Sequence, residues 1–217
     1  MAGLWRWKAA QFAERKWWQQ YLKNKDVSEY LVWKKAYWNT LIDKTKPYLQ
    51  IKPSDVLLDA GCGPAGIFMA FPNHQITAFD PLLDHYEEEL NHFSKSQYPQ
   101  VEFVTSSIED FKAHTQYDVI FCMNAINHVQ HIGQSIDILI HALKPNGTLL
   151  ITIDAHNMSF FKTLFRLLPG DILHPHQYDL NEYELMIRTR NCTMLHALKL
   201  KHEFFFDHYM LIARKNA

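Results

Sequence analysis

The run Val56-Leu57-Leu58-Asp59-Ala60-Gly61-Cys62-Gly63-Pro64-Ala65-Gly66 leaves few options for the chain that carries it: an apolar strand ends in an acid, a glycine-rich turn follows, and a short helix begins. Glycine tolerates positive φ and lets backbone N–H groups approach a ligand, so this is the pattern of a strand–turn–helix nucleotide site. Nineteen residues after Gly61, a second apolar run, Gln75-Ile76-Thr77-Ala78-Phe79, ends in Asp80. A carboxylate there is suited to accept hydrogen bonds from both hydroxyls of a ribose. Together the two features point to an adenosine-bearing cofactor.

From residue 54 onward the chain repeats strand, turn and helix. Short β-branched or aromatic runs fall at 55–60, 76–80, 101–105, 117–123 and 147–153, with helical stretches near 82–94 and 133–143. They lack strict polar alternation, as expected of parallel strands covered on both faces. Pro72 and Asn73 keep the helix after the glycine turn very short, and Pro145-Asn146-Gly147 signals a turn before the fifth strand. After a stretch containing Pro169, Gly170 and Pro175, a helix near 181–190 leads to runs at about 195–201 and 204–213. These two are joined too closely for a parallel crossover and must pair antiparallel. The expected class is α/β: a doubly wound sheet, mostly parallel, with an antiparallel C-terminal hairpin strand and N-terminal helices.

All six tryptophans, at 5, 7, 17, 18, 33 and 38, fall in the first 38 residues, which sets that segment apart. Tyr30, Trp33, Tyr37 and Leu41 recur at helical spacing, Ser28 is a candidate cap, and Pro47 limits the end. Residues 1–47 therefore read as a helical extension, and 48–217 as the core, within a single domain spanning 1–217. Three readings of the extension stand open: packing over the sheet, a lid shaping an apolar acceptor pocket, or an interfacial membrane contact. Arg6, Lys8, Arg15, Lys16, Lys34 and Lys35 keep the last alive, although it ranks below the other two.

Charge excludes some partners. With 22 Lys+Arg against 23 Asp+Glu there is no overall field to concentrate a polyanion, so no nucleic-acid partner is expected. Cys62, Cys122 and Cys192 are odd in number and far apart, which suits reduced thiols in a cytoplasm better than a disulfide framework. No uninterrupted apolar stretch of about 18 residues is present. The expectation is a cytoplasmic protein acting on a small molecule, with its oligomeric state open.

The spacing G-x-G-x-x-G in Gly61-Cys62-Gly63-Pro64-Ala65-Gly66 also occurs in nicotinamide dehydrogenases. Asp59 counts against that reading, because a negative charge is unfavourable beside a pyrophosphate but suits a cationic amino-acid end. On five ordered stretches the chain resembles the class I S-adenosylmethionine-dependent methyltransferases. Asp59–Gly66 is similar to their first motif, Ala78-Phe79-Asp80-Pro81 to the second, and Ser106-Ser107-Ile108-Glu109-Asp110-Phe111 to the adenine-contacting turn, with Ser107 where an acid is usual. Tyr117–Val129 is similar to the fourth-strand motif and Leu143–Leu150 to the fifth.

The resemblance implies a Rossmann-like fold and S-adenosyl-L-methionine as cofactor, released as S-adenosyl-L-homocysteine. It implies that Asp59 and the backbone of Gly61, Cys62, Gly63 and Gly66 hold the methionine end, and that Asp80 holds the ribose diol. Leu82 or the Pro81 turn would flank the adenine, with Ile108 on a ring face and Ser107 or Glu109 at its polar edge. Asn124 would lie beside the amino-acid portion. The Cys62 side chain itself reads as space-filling.

The implied reaction is methyl transfer to a small acceptor, on oxygen, with a partly apolar or aromatic substrate. The alternatives are an NAD-dependent oxidoreductase and a non-catalytic cofactor-binding protein. A hydroxyl acceptor calls for a base near neutral pH, and histidine is the natural candidate. His174 and His176, held in relation by Pro175 in the connection after the fifth strand, are the first choice for catalytic residues. His128 and His156 are further candidates, while His131 reads as solvated or capping. No third ligand at a recognisable spacing completes a metal set with His174 and His176, so no metal is expected.

Overall fold

A computed structural model describes residues 2–112, 114–157 and 178–217, with side chains from residue 7 onward. Its strands are β1 (Leu57–Ala60), β2 (Ile76–Asp80), β3 (Val101–Thr105), β4 (Tyr117–Cys122), β5 (Leu143–His156), β6 (Cys192–His202) and β7 (Phe206–Lys215). They form one sheet in the order β3-β2-β1-β4-β5-β7-β6. The first five run parallel; β7 pairs antiparallel with both β5 and β6. This is the doubly wound α/β sheet with an antiparallel C-terminal hairpin that the sequence predicts.

The central strands are apolar on both sides, and alternate residues feed two separate cores. Leu57, Phe121, Leu150 and Ile212 point to one face, under helices α2 (Val27–Thr45) and α3 (Leu83–Glu89). Leu58, Ile120, Leu149 and Leu211 point to the other, under α4 (Ile132–Ala142) and α5 (Leu180–Arg188). Strand order reverses between β1 and β4, and the carboxyl ends of strands at such a switch point leave a crevice between diverging connections.

Local chemistry accounts for the boundaries. Helix α1 (Ala2–Leu22) is free of proline and rich in good helix formers. The α2 start is capped by Asp26, whose carboxylate accepts from the Glu29 N–H at 3.0 Å; Ser28, the sequence-based choice, sits inside the helix and donates to Asp26 instead. Asp179 and Glu182 form a capping box on α5. Helix α3 stops at Glu89, short of the expected 94, because the chain turns to bury Phe93 edge-on against Phe103.

Strand β5 is longer than the expected 147–153. Leu143 already pairs with Tyr117, and antiparallel pairing with β7 carries the strand on to His156. The Pro145-Asn146-Gly147 turn survives as an irregularity inside the strand, where pairing jumps from Leu143–Tyr117 to Thr148–Val119 and Asn146 has φ 64°. Cys62, Cys122 and Cys192 are free and buried. Among the described residues no helix is long and apolar enough to cross a membrane.

Candidate active site

The glycine turn leaves β1 on two residues with positive φ, Gly61 at 70° and Gly63 at 59°. The Gly61 and Cys62 N–H groups donate to the Phe79 carbonyl at 2.8 and 3.0 Å, lashing the turn to β2. A Cβ on Gly61 would stand 2.3 Å from that of Ala125, so the turns after β1 and β4 can touch only because residue 61 has no side chain. Beyond the turn, Asp59 accepts the Phe68 N–H at 3.0 Å. A Cβ on Gly66 would lie 2.4 Å from Asp59 Oδ2. Gly66 thus makes room for the Asp59 carboxylate.

A cavity of about 450 Å³ opens over these strand tips. Its floor carries the backbone of Gly61, Cys62 and Gly63, and one side carries Asp80 and Pro81. Ser107, Ile108 and Glu109 from the turn after β3, and Asn124 and His128 from the segment after β4, complete the core-derived wall. The roof is aromatic and belongs to the N-terminal helices, with Trp17, Trp18 and Tyr21 from α1 and Tyr30 and Trp38 from α2. The sequence-predicted cofactor residues Gly61, Cys62, Gly63, Asp80, Pro81, Ser107, Ile108 and Asn124 therefore converge on one chamber. Asp59 and Gly66 stand behind the loop and do not border it.

Charge in the chamber is mostly acidic. Asp80, 5 % exposed, accepts the Leu82 N–H at 2.9 Å and the Gly63 N–H at 3.0 Å. Burial pushes its carboxyl up, the nearby Glu14 carboxylate pushes it further, and the two N–H donors pull it back. Burial likewise raises Glu14. Asp59 is pushed up to about 7, again by burial first, against the Phe68 and Ile67 N–H groups. Burial and the two aspartates hold the Cys62 thiol far above its ordinary range, which leaves it inert as a nucleophile. The cation on the wall is Lys34, lowered to about 8 by desolvation.

The wall formed by the turns after β3 and β4 is held by its own hydrogen bonds. Ser107 donates to Asp110 at 2.7 Å, and Glu109 accepts the Gln130 and His131 N–H groups at 2.7 and 3.1 Å. Asn124, at φ 57°, donates its N–H to Thr152 Oγ1 at 2.6 Å. Of the histidines, His128 borders the chamber, His131 is exposed at the start of α4, and His156 is buried against Phe206 at 4.4 Å. His174 and His176 lie outside the described residues. No metal-binding group of His, Cys, Asp and Glu occurs among the described residues.

Sequence reasoning missed Gln11 and Glu14 and gave Lys34 no place in the chamber. Their helical phase within the tryptophan-rich segment was the available signal, but nothing in it says which helix face meets the strand tips. Gln11 Oε1 is buried with no hydrogen-bond partner among the described residues, and Gln11 borders the cavity. With an unmatched acceptor, a buried carboxylate and half-buried glycine backbone around one space, the residues fit an adenosyl ligand.

A sequence profile for a methyltransferase domain matches residues 32–204, well over half of the chain. The chain belongs to the class I methyltransferase family. Among curated proteins it is similar to the ubiquinone biosynthesis O-methyltransferase of Rickettsia canadensis, 32% identical over 115 residues that cover 52% of this chain and 48% of the relative. The corresponding Rickettsia bellii enzyme is 28% identical over 116 residues, again 52% of this chain and 48% of the relative. The chain thus spans about half the length of the curated relatives it matches.

Among solved structures, the YcgJ protein from Bacillus superposes with a TM-score of 0.66 at 15% identity, over 84% of this chain and 99% of that chain. The Burkholderia thailandensis 1,6-didemethyltoxoflavin-N1-methyltransferase, solved with S-adenosylhomocysteine, gives 0.63 at 14% identity, over 100% of this chain and 89% of the other. At such identities the likeness speaks for the fold.

Proposed function

We propose that this chain transfers a methyl group from S-adenosylmethionine to an oxygen of a small, partly apolar or aromatic acceptor. The observation that carries the reading is the single chamber that joins the glycine turn, Asp80 and the aromatic roof of α1 and α2. The 32% identical relatives named as O-methyltransferases support oxygen as the methylated atom. The whole of residues 1–217 acts as one unit in this reading, with residues 1–47 roofing the site.

When bound, the cofactor supplies an electrophilic methyl carbon on a cationic sulfur, and the sulfur keeps the electron pair of the broken C–S bond. Asp80 holds the ribose hydroxyls with the lone pairs left over from Gly63 and Leu82. Ile108 would lie on an adenine face, and Ser107 or Glu109 would serve its polar edge. The glycine backbone receives the amino-acid end, while Asp59 fixes the loop through Phe68 and adds a negative field from behind. The indoles exclude water and align the acceptor, which supplies much of the acceleration in a bimolecular transfer. A histidine takes the hydroxyl proton: His128 on the chamber wall, or His174 or His176 in the connection after β5.

Asp80 and Glu14 on the chamber wall, with Asp59 behind the glycine loop, disfavour a pyrophosphate, which argues against the nicotinamide alternative. Titration calorimetry separates the two. The expected result is saturable binding of S-adenosylhomocysteine and none of NADH; binding of NADH alone would overturn the proposal.

A further inference from the structure

The two N-terminal helices carry an aromatic and cationic outer face that the chamber does not use. Of the seven large apolar side chains that stand exposed among the described residues, five belong to α1 and α2: Phe12, Trp17, Val32, Trp33 and Tyr37. Trp17 and Trp33 are each 52% exposed and Tyr37 is 37% exposed. Ring contacts join these three into one ladder that runs across both helices. Trp17 stacks on Tyr21 with ring centres 4.7 Å apart, Tyr21 meets Tyr30 edge-on at 6.2 Å, Tyr30 lies 5.8 Å from Trp33, and Trp33 stacks on Tyr37 at 6.1 Å. A row of half-exposed indoles is unfavourable in water, and an amphipathic ring is better placed at the boundary of a lipid bilayer.

Charge follows the same helices. Residues 1–52 hold 11 Lys+Arg against 4 Asp+Glu, and residues 53–217 hold 11 against 19, so a nearly neutral chain divides into a basic hairpin and an acidic core. Lys16, Lys23, Lys25 and Lys35 are exposed on the hairpin. The Lys25 ammonium lies 4.5 Å from the centre of the Tyr21 ring, and that of Lys34 lies 5.0 Å from the centre of Tyr37, which sets cations among the rings of the ladder. The four acids leave this charge in place: Glu14 borders the chamber, Asp26 caps α2, Asp43 pairs with Lys46 at 2.6 Å, and Glu29 stands in the first turn of α2.

We propose that the outer face of α1 and α2 docks on an anionic lipid bilayer, with the lysines over the headgroups and the exposed indoles in the interfacial layer. The exposure of Trp17 and Trp33 promotes a reading of the extension that the sequence ranked below the other two. No helix among the described residues can cross the membrane, so the contact is a surface one. Trp17, Tyr21 and Tyr30 also border the chamber, so docking sets the roof of the chamber against the bilayer. A second copy of the chain fits less well, because facing two such hairpins brings like charges together. A nucleic acid finds fewer free ring faces, because Trp17 and Trp33 each already give one to a tyrosine. The inference stands apart from the methyl-transfer reading.

The test is flotation of the full chain with vesicles of phosphatidylglycerol and phosphatidylcholine in equal parts, against vesicles of phosphatidylcholine alone. Wild type should float with the anionic vesicles at low ionic strength, shift its tryptophan emission to the blue and come off in high salt. Trp33→Ser combined with Lys35→Glu should lower the partition coefficient roughly tenfold or more. Neither residue borders the chamber, so circular dichroism and S-adenosylhomocysteine affinity should match wild type. Lys16→Glu, Lys23→Glu and Lys35→Glu together, all at exposed positions, should give the same loss with every ring intact. Failure of wild type to float with anionic vesicles, or variants that float as wild type does, would overturn the inference. Equal flotation with neutral vesicles would remove the charge complementarity on which it rests and overturn it too. So would variants that split a dimer in sedimentation, or lose an oligonucleotide, while flotation stays unchanged, because the face would then serve a second copy or a nucleic acid.

Discussion

Asp59 and Asp80 end neighbouring strands and are both buried, yet the first faces a loop and the second faces a ligand-sized space. Their substitutions should therefore read out differently. Asp80→Ala should weaken S-adenosylhomocysteine by roughly 1.5 to 3 kcal/mol, the range for a hydrogen bond to a charged group, as measured by calorimetry. Asp59 should act on stability. Its carboxyl is raised from 3.8 to about 7, so the folded state holds a proton that the unfolded state gives up in that interval. The Asp59 contribution to stability is then greatest below pH 3.8, falls as pH rises toward 7 and levels off above. Urea denaturation of the ligand-free protein should show this loss, on the order of a few kcal/mol, and Asp59→Asn should make it shallower while keeping an acceptor for the Phe68 N–H. An identical pH profile in the variant would contradict the assignment.

At the level of elements, the decisive piece is α2. It contributes Tyr30, Trp38 and Leu41 to the core under the sheet, and through Trp38 it sets the distance between roof and glycine turn. Trp38→Phe keeps most of the ring and removes the N–H to Ala65, so unfolding free energy should drop by about 1 kcal/mol, the net worth of a typical internal hydrogen bond. Thermal or urea unfolding measures it. The strands were legible at this scale because buried parallel strands are continuous apolar runs. Helix ends were less so: Asp26 displaced Ser28 as the cap, and α3 ended early because burial of Phe93 outweighed local helix preference. Both outcomes depend on contacts remote in sequence.

For the whole molecule, α1 is attached differently from everything else. Leu22 is its contribution to the buried core among the described residues, and its middle is held by Arg15 and Gln19 on Glu89 and by Trp18 edge-on to Tyr86 at 6.3 Å. Removal of residues 1–24 should leave the sheet folded by circular dichroism while S-adenosylhomocysteine affinity falls by tenfold or more, since Gln11, Glu14 and much of the roof depart together. Collapse of the sheet signal would show that α1 is required for the core. By itself the sequence determined the alternation of strands and helices, the antiparallel ending, the glycine turn and Asp80, because each is written in neighbouring residues whose period, φ preference or charge acts locally. Only the tertiary structure decided that Asp59 and Gly66 stand behind the loop, and that Gln11, Glu14 and Lys34 stand over it. Which face of a helix meets which strand tip is fixed by long-range packing, and no residue's neighbours along the chain encode that contact.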